Sequence, residues 1–184
     1  MMNKTVYYLT GMGGRLHTGL GQGLLSRDCK IVGRELVDEF KMLDFQQRVE
    51  LVVSDLQNNF WHKEARVIAN SFGAYLFLHA QSQMNPYIGK VILLSPIVGK
   101  FSNGDSSADF ISPRTDKLLL LAKLRKFPIP KQCEIYVGIN DWRCDPEIVK
   151  EFGAMLGIDV IVVPNAGHML PKDYVGGILD RWLI

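Results

Sequence analysis

Three residues of this 184-residue chain are of the types that perform nucleophilic catalysis together, namely Ser71, His168 and Asp141. A serine hydroxyl is a poor nucleophile until a base takes its proton, and histidine is the usual base near neutral pH. An aspartate beside the histidine fixes its tautomer and stabilises the imidazolium that forms. Together these three side chains would transfer an acyl group through a covalent intermediate on Ser71.

The segment around Ser71 has the pattern of a tight turn from a strand into a helix, because the apolar run Val67-Ile68-Ala69 leads into it. Such a turn strains the serine backbone, exposes its hydroxyl, and requires small residues two positions before and after it. Ala69 and Gly73 meet that requirement. An ordinary helix N-cap is the alternative for Ser71. Its place at the carboxyl end of a predicted strand favours a site, since ligands bind at that edge of open α/β sheets.

Four histidines are available as the base, and their positions differ. His168 lies between the last apolar run and the last predicted helix. His62 ends an amphipathic helix and His79 lies two turns into the helix after Ser71, so we expect both to be packed or solvated. His17 follows the first strand and could reach a pocket there, although a surface position is the simpler expectation.

Two aspartates, Asp141 and Asp145, follow the strand that precedes the His168 region. Asp145 stands before Pro146, the pattern of a helix N-cap followed by proline at the first helical position. Asp141 has no such structural role, and we predict that it orients His168. The alternative for Asp141 is a turn residue, since Asn140-Asp141 is a common turn dipeptide.

The turn around Ser71 and the chain order Ser71, Asp141, His168 resemble the α/β-hydrolase superfamily. Position 69 departs mildly from that pattern, which usually has glycine where this chain has Ala69. The resemblance runs from Thr5 to Leu183 and implies a small serine hydrolase, esterase-like, without the first strands of the family and without a large cap domain.

The resemblance also implies an oxyanion hole, formed by the backbone amides of Phe72 and of a residue in the loop after the first strand. We choose Met12 from that loop, with Gly11 and Gly13 as alternatives. No metal or organic cofactor is expected.

Several short apolar runs must position these residues. Continuous β-branched runs of this kind are typical of parallel strands covered on both faces, and their alternation with helical segments predicts an open sheet. We predict one three-layer α/β/α domain over residues 1–184 with about six mostly parallel strands: Thr5–Leu9, Lys30–Val32, Arg66–Ala69, Val91–Leu94, Ile135–Ile139 and Val160–Val163.

Helix starts are marked by caps and prolines. Asp44 and Gln47 predict a capping box before an amphipathic helix that continues to Phe60. Three further starts pair a cap with a proline at the first helical position: Ser112-Pro113, Asp145-Pro146 and, more weakly, Leu170-Pro171. Residues 95–130 form a longer connection with a helix near Thr115–Phe127, which is either an ordinary crossover or a short lid.

Composition restricts the other classes of function. A net charge of +2 gives no reason to expect nucleic acid or an anionic membrane as a partner. No apolar run approaches the length of a membrane span or a signal-peptide core. The chain has three cysteines, which we expect to be free thiols in a cytoplasmic protein: Cys29, Cys133 and Cys144.

Three alternatives stay open. The glycines after the first strand suggest nucleotide binding, but neither G-x-G-x-x-G nor a P-loop pattern is present. A protein of this fold could bind a ligand without turning it over, or could pass the acyl group to an acceptor other than water. The main prediction is hydrolysis of a small ester or related acyl substrate at a shallow site; the oligomeric state is not predicted.

Overall fold

Six parallel strands form one sheet in the computed structural model, which describes residues 4–99 and 114–184. The order across the sheet is β2-β1-β3-β4-β5-β6, and every neighbouring pair is parallel. This confirms the predicted fold class. The strands are β1 Thr5–Met12, β2 Lys30–Leu36, β3 Arg66–Asn70, β4 Lys90–Leu94, β5 Gln132–Gly138 and β6 Val160–Val163.

Helices connect the strands and cover both faces of the sheet. Alternate residues of a strand point to opposite faces, so β1 sends Tyr7 and Leu9 into one apolar cluster and Val6 and Tyr8 into the other. The first cluster lies beneath α3, α4, α5 and α6, and the second beneath α1 and α7. The helices are α1 Leu20–Leu25, α2 Asp38–Met42, α3 Phe45–Asn59, α4 Phe72–Gln81, α5 Lys117–Lys123, α6 Pro146–Leu156 and α7 Lys172–Trp182.

Two predicted helix caps are confirmed in atomic detail. Asp44 accepts a hydrogen bond from the Gln47 amide, and the Gln47 side chain accepts one from the Asp44 amide, which completes the capping box of α3. Asp145 accepts from the Glu147 amide at 2.9 Å and caps α6, with Pro146 at its first position.

Other predicted boundaries need correction. Pro171 is the N-cap of α7 and not its first helical residue, because its ψ of 135° is extended. Helix α5 ends earlier than the expected Phe127, since Arg125 adopts a positive φ of 55° that stops a helix. Strand β2 continues past Val32 because it stays paired with β1 up to Leu36. The predicted cap at Ser112-Pro113, and residues 100–113 of the possible lid, lie outside the described residues.

The topology determines where a site can form. Strand β3 lies between β1 and β4 near the centre of the sheet, and β5 and β6 continue the sheet beyond β4. All strands are parallel, so the loops after them meet at one edge. In the part of the chain that the structure describes, no helix has the length and apolar character needed to cross a membrane.

Candidate active site

Ser71 occupies the turn between β3 and α4 in a strained backbone conformation. Its φ is 52° and its ψ is −116°, a region that residues other than glycine rarely adopt. Ser71 is the N-cap residue of α4, yet its side chain makes no capping hydrogen bond. Its amide donates to the Leu94 carbonyl at 2.9 Å. The backbone is therefore held by the sheet while the hydroxyl is left for another partner.

The small residues around Ser71 have a steric reason. A Cβ atom on Gly73 would lie 2.4 Å from the carbonyl oxygens of both Leu9 and Thr10, so only glycine lets α4 start so close to β1. Ala69 is fully buried and pairs with Leu9 on one side and Leu93 on the other. These contacts anchor the turn between β1 and β4.

His168 lies against Ser71 from the loop between β6 and α7. Its Nε2 is 2.8 Å from Ser71 Oγ, and its Nδ1 is 3.1 Å from each carboxylate oxygen of Asp141. The His168 side chain is 10% exposed, and the Asp141 side chain is fully buried. The three residues chosen from the sequence thus form one continuous chain of hydrogen-bonding contacts.

Asp141 and Asp145 have separate partners. Asp141 Oδ1 accepts from the amides of Arg143 and Cys144, each at 2.9 Å, so the carboxylate is fixed by its own loop while it faces His168. Asp145 is exposed and caps α6. This division follows the expectation that Asp145 has a structural role and Asp141 faces the histidine.

The loops that carry Asp141 and His168 are fastened to each other. The Asn140 amide donates to the Ala166 carbonyl at 2.9 Å, and the Ile139 amide donates to the Val163 carbonyl at 3.0 Å. A Cβ atom on Gly138 would lie 2.3 Å from the Gly167 carbonyl, so this glycine permits the close approach. The separation between carboxylate and imidazole is therefore set by backbone contacts.

The end of β1 runs beside the Ser71 turn, because the strand continues past its predicted end at Leu9 to Met12. A Cβ atom on Gly11 would be 3.4 Å from the Ser71 Cβ. The Gly13 amide donates to the Leu36 carbonyl at 3.1 Å, which argues against Gly13 as an oxyanion-hole donor. Met12 and Gly11 stay predicted candidates. Phe72, the other candidate, is the first residue of α4. Its position places it at the positive end of the helix dipole.

Ser95, at the end of β4, is a site residue that the sequence analysis missed. It is fully buried with a positive φ of 45°, and its Oγ donates to the His168 carbonyl at 2.9 Å. Its own carbonyl accepts from the Cys144 thiol at 3.1 Å. Ser95 therefore links β4 to both loops that carry the acid and the histidine. The one available signal was its position directly after an apolar strand, the same position as Ser71.

The remaining histidines are elsewhere. His17 and His62 are exposed, and His62 lies 3.5 Å from Glu64. His79 is fully buried in α4, and within the described residues neither ring nitrogen has a hydrogen-bond partner. Burial, with Lys117 and Arg114 nearby, lowers the pKa of His79 to about 3. These positions agree with the expectation that His62 and His79 are packed or solvated and that His17 is at the surface.

Comparison with solved structures identifies the architecture. The chain resembles the ydeN gene product of B. subtilis with a TM-score of 0.67 at 13% identity, covering 98% of each chain. A YdeN-like hydrolase from Pectobacterium atrosepticum gives a TM-score of 0.65 at 15% identity, covering 98% of this chain and 91% of that one. A carboxylesterase structure from Nitrososphaera gargenis gives 0.64 at 13%, covering 99% and 90%.

The chain has the α/β-hydrolase fold. At these identities the likeness establishes the fold and no more. No protein-family model matches the sequence, and no curated protein matches it.

Four exposed apolar side chains lie close in sequence to the candidate residues of this α/β-hydrolase fold. One is the last residue of β1, two lie within two residues of Asp141 and one follows His168. We call this set the apolar rim: Met12, Ile139, Trp142 and Met169, which are 46%, 53%, 54% and 80% exposed. Apolar surface of this kind next to a polar centre is typical of a ligand-binding site.

Proposed function

We propose that the protein is a serine hydrolase that cleaves small carboxylic esters through an acyl-enzyme on Ser71. The observation that carries the proposal is the unbroken contact from Ser71 Oγ to His168 Nε2 at 2.8 Å and from His168 Nδ1 to both Asp141 oxygens at 3.1 Å. This is the arrangement that a nucleophile, its base and the orienting acid require.

In the first half-reaction Ser71 Oγ attacks the ester carbonyl carbon while His168 Nε2 takes the hydroxyl proton. The imidazolium faces Asp141, whose buried carboxylate favours the charged ring and keeps Nδ1 protonated. As the carbon–oxygen bond to the leaving group breaks, Nε2 returns the proton to that oxygen. Ser71 then carries the acyl group as an ester.

In the second half-reaction water replaces the alcohol. His168 Nε2 takes a proton from the water as it attacks the acyl-serine, and returns it to Ser71 Oγ when the acid leaves. Both tetrahedral intermediates place negative charge on the former carbonyl oxygen. The amides of Phe72 and Met12 would donate to that oxygen, and the N-terminus of α4 adds a favourable dipole.

The apolar rim supports an ester with an apolar acyl group. Met169 follows His168 in the sequence and Trp142 follows Asp141, and both side chains are exposed, so we expect an acyl chain to contact them. Each buried CH₂ group contributes about 0.8 kcal/mol to binding. A carboxylesterase from Nitrososphaera gargenis shares the fold. Butyryl and hexanoyl esters should therefore be better substrates than acetyl esters.

The test is steady-state hydrolysis of p-nitrophenyl acetate, butyrate and hexanoate by the native protein and by Ser71→Ala. Ser82→Ala is the control, because it removes a serine hydroxyl whose partner is the His79 backbone carbonyl, at 2.7 Å, whereas the Ser71 hydroxyl contacts the His168 ring. We expect turnover by the native protein and the control, and none above the buffer rate by Ser71→Ala. Hydrolysis that survives in Ser71→Ala would overturn the proposal.

Two further outcomes would favour a different function, either ligand binding without turnover or acyl transfer to an acceptor other than water. A folded native protein that hydrolyses none of the three esters would favour ligand binding without turnover. If added alcohols or thiols capture most of the acyl group in competition with water, the protein is an acyltransferase. Product analysis by mass spectrometry separates the acid from the transferred ester or thioester.

A further inference from the structure

A cysteine thiol lies beside the candidate triad and has no part in the proposed reaction. Cys144 Sγ is 3.8 Å from His168 Nδ1, the ring nitrogen that also faces Asp141. One donor atom each from Asp141, Cys144 and His168 can be chosen so that all three lie within 4.8 Å of one another. Thiolate, imidazole and carboxylate are the ligand types that Zn²⁺ takes in proteins.

Two of the three pairs of donor atoms are spaced nearly as in a tetrahedral zinc site, and the sulfur–oxygen pair lies within 4.8 Å. With bonds of about 2.0–2.2 Å to nitrogen and oxygen and about 2.3 Å to sulfur, neighbouring ligand atoms lie roughly 3.3–3.6 Å apart. The observed nitrogen–oxygen and sulfur–nitrogen separations are 3.1 and 3.8 Å. These two pairs need shifts of only a few tenths of an ångström.

The local structure leaves the right atoms for a cation. Asp141 Oδ1 is held by two backbone amides, whereas Oδ2 faces only His168 among the described residues. The Cys144 thiol donates to the Ser95 carbonyl at 3.1 Å. A cavity with room for about one water is lined by residues that include Cys144, Ile97 and Ile148.

We propose that Cys144 Sγ, His168 Nδ1 and Asp141 Oδ2 form an inhibitory site for a thiophilic divalent cation, Zn²⁺ or its analogue Cd²⁺. A sulfur and a nitrogen among the three ligands favour these ions over Mg²⁺ and Ca²⁺, which prefer oxygen. A water molecule completes the fourth position.

The inhibition follows from proton positions, and this part rests on the proposed function. Metal binding breaks the S–H bond of Cys144, forms a metal–sulfur bond and releases one proton to solvent. His168 stays neutral, but its ring proton moves from Nδ1 to Nε2 because the metal occupies the Nδ1 lone pair. Nε2 then points a proton at Ser71 Oγ and cannot accept one. The base is held in the wrong tautomer, and Ser71 is not activated.

Cadmium binding is read directly from the ultraviolet charge-transfer band of a cadmium–thiolate bond, without any substrate. The full-length native protein is titrated with Cd²⁺ beside Cys144→Ser and Cys29→Ser. Cys29 is the matched control, because it is as buried as Cys144 and its thiol also donates to a backbone carbonyl. We expect a band that saturates at one equivalent in the native protein and in Cys29→Ser, and no such band in Cys144→Ser.

Two results would overturn the proposal: a native protein without the band, or a band of equal strength in Cys144→Ser. Cys144→Ala serves as a second variant if Cys144→Ser unfolds, which circular dichroism reports. His168→Ala should weaken Cd²⁺ binding at least tenfold, and unchanged affinity there would also contradict the site.

Zinc inhibition then connects the site to activity. Zn²⁺ should suppress ester hydrolysis by the native protein, EDTA should restore it, and Cys144→Ser should keep its own metal-free rate when Zn²⁺ is added. Equal inhibition of Cys144→Ser would overturn the inhibitory role. If the Cd²⁺ band behaves as expected but no ester is hydrolysed, the metal site stands and the proposed function fails.

Discussion

His168 and His79 are both largely buried, and their surroundings differ completely. His168 has Ser71 on Nε2 and Asp141 on Nδ1. His79 lies against the rings of Tyr75 and Phe45, at centroid distances of 4.4 and 4.9 Å, and neither nitrogen has a hydrogen-bond partner within the described residues. Burial alone therefore does not make a base. A buried histidine without partners is a neutral ring that packs against its neighbours. A histidine with hydrogen-bond partners on both nitrogens can accept a proton on one and donate from the other.

The difference comes from where each histidine stands in the fold. His168 belongs to a loop at the strand-end edge, where the parallel topology brings polar groups from several strands together. His79 lies in the body of α4, whose backbone groups are already paired and which packs in an apolar cluster, with the charges of Lys117 and Arg114 nearby. Both backbone carbonyls accept a serine hydroxyl, from Ser95 and Ser82 respectively, which makes the two regions directly comparable.

Removing each ring in turn should produce the largest contrast. His168→Ala should lower kcat on the order of 10⁴- to 10⁶-fold, because the base of a triad is lost. His79→Leu should keep kcat within about twofold, since His79 touches no reacting group. Rates of ester hydrolysis give both kcat values. Comparable losses of kcat in the two folded variants would show that the two histidines do not differ in function.

Substitution of each aspartate should show that Asp141 and Asp145 have different roles. Asp141→Asn should lower kcat about 10⁴-fold with the fold intact, because an amide stabilises the wrong tautomer of His168. Asp145→Ala should lose only the cap of α6, about 1 kcal/mol of stability, and keep its rate. Kinetics and urea unfolding report the two quantities. Near-full activity in Asp141→Asn would show that Asp141 is not needed to orient His168.

The low pKa of His79 makes stability depend on pH. Its pKa is about 3 in the folded protein and about 6.5 in the unfolded chain, so the unfolded state alone binds a proton between these values. Protonation of His79 therefore does not reduce the free energy of unfolding above pH 6.5. Below pH 6.5 it lowers this free energy by about 1.4 kcal/mol for each unit that the pH drops towards 3.

Urea unfolding at pH 7 and pH 5 measures this effect. His79→Leu should lose less stability than the native protein over that interval, by roughly 2 kcal/mol. If the native protein and His79→Leu lose the same amount, His79 is already protonated or hydrogen-bonded in the folded state.

The smallest expected effect concerns the serines that bond to the two histidine carbonyls. Ser95→Ala should lower kcat about tenfold, the value of one buried hydrogen bond, with KM unchanged, because the His168 loop loses an anchor. Ser82→Ala should leave kcat unchanged. A Ser95→Ala variant that loses stability but keeps kcat would reduce Ser95 to a structural residue.

Elements and roles that depend on a local sequence pattern could be predicted from the sequence alone. The β-branched runs predicted all six strands, and the caps at Asp44 and Asp145 lie within a few residues of the amides they accept from. Residues 71, 141 and 168 stood out because each follows a strand.

Roles that depend on several loops could not be predicted. Ser95 acts through a backbone with a φ of 45° and through a carbonyl that lies 73 residues away. Cys144 could be recognised as a neighbour of His168 only in the folded structure, where the pairing of β5 with β6 brings the two loops together. Pro171 shows the same limit on a small scale, since its extended ψ moved the start of α7 by one residue.

Labelling with a fluorophosphonate probe tests the central claim most directly, because the probe reacts only with an activated serine and needs no knowledge of the substrate. Intact-mass analysis should show one adduct on the native protein and on His79→Leu, located on Ser71 by peptide mapping, and none on Ser71→Ala or His168→Ala. A folded native protein that stays unlabelled, or a His168→Ala variant labelled at the native rate, would contradict the account.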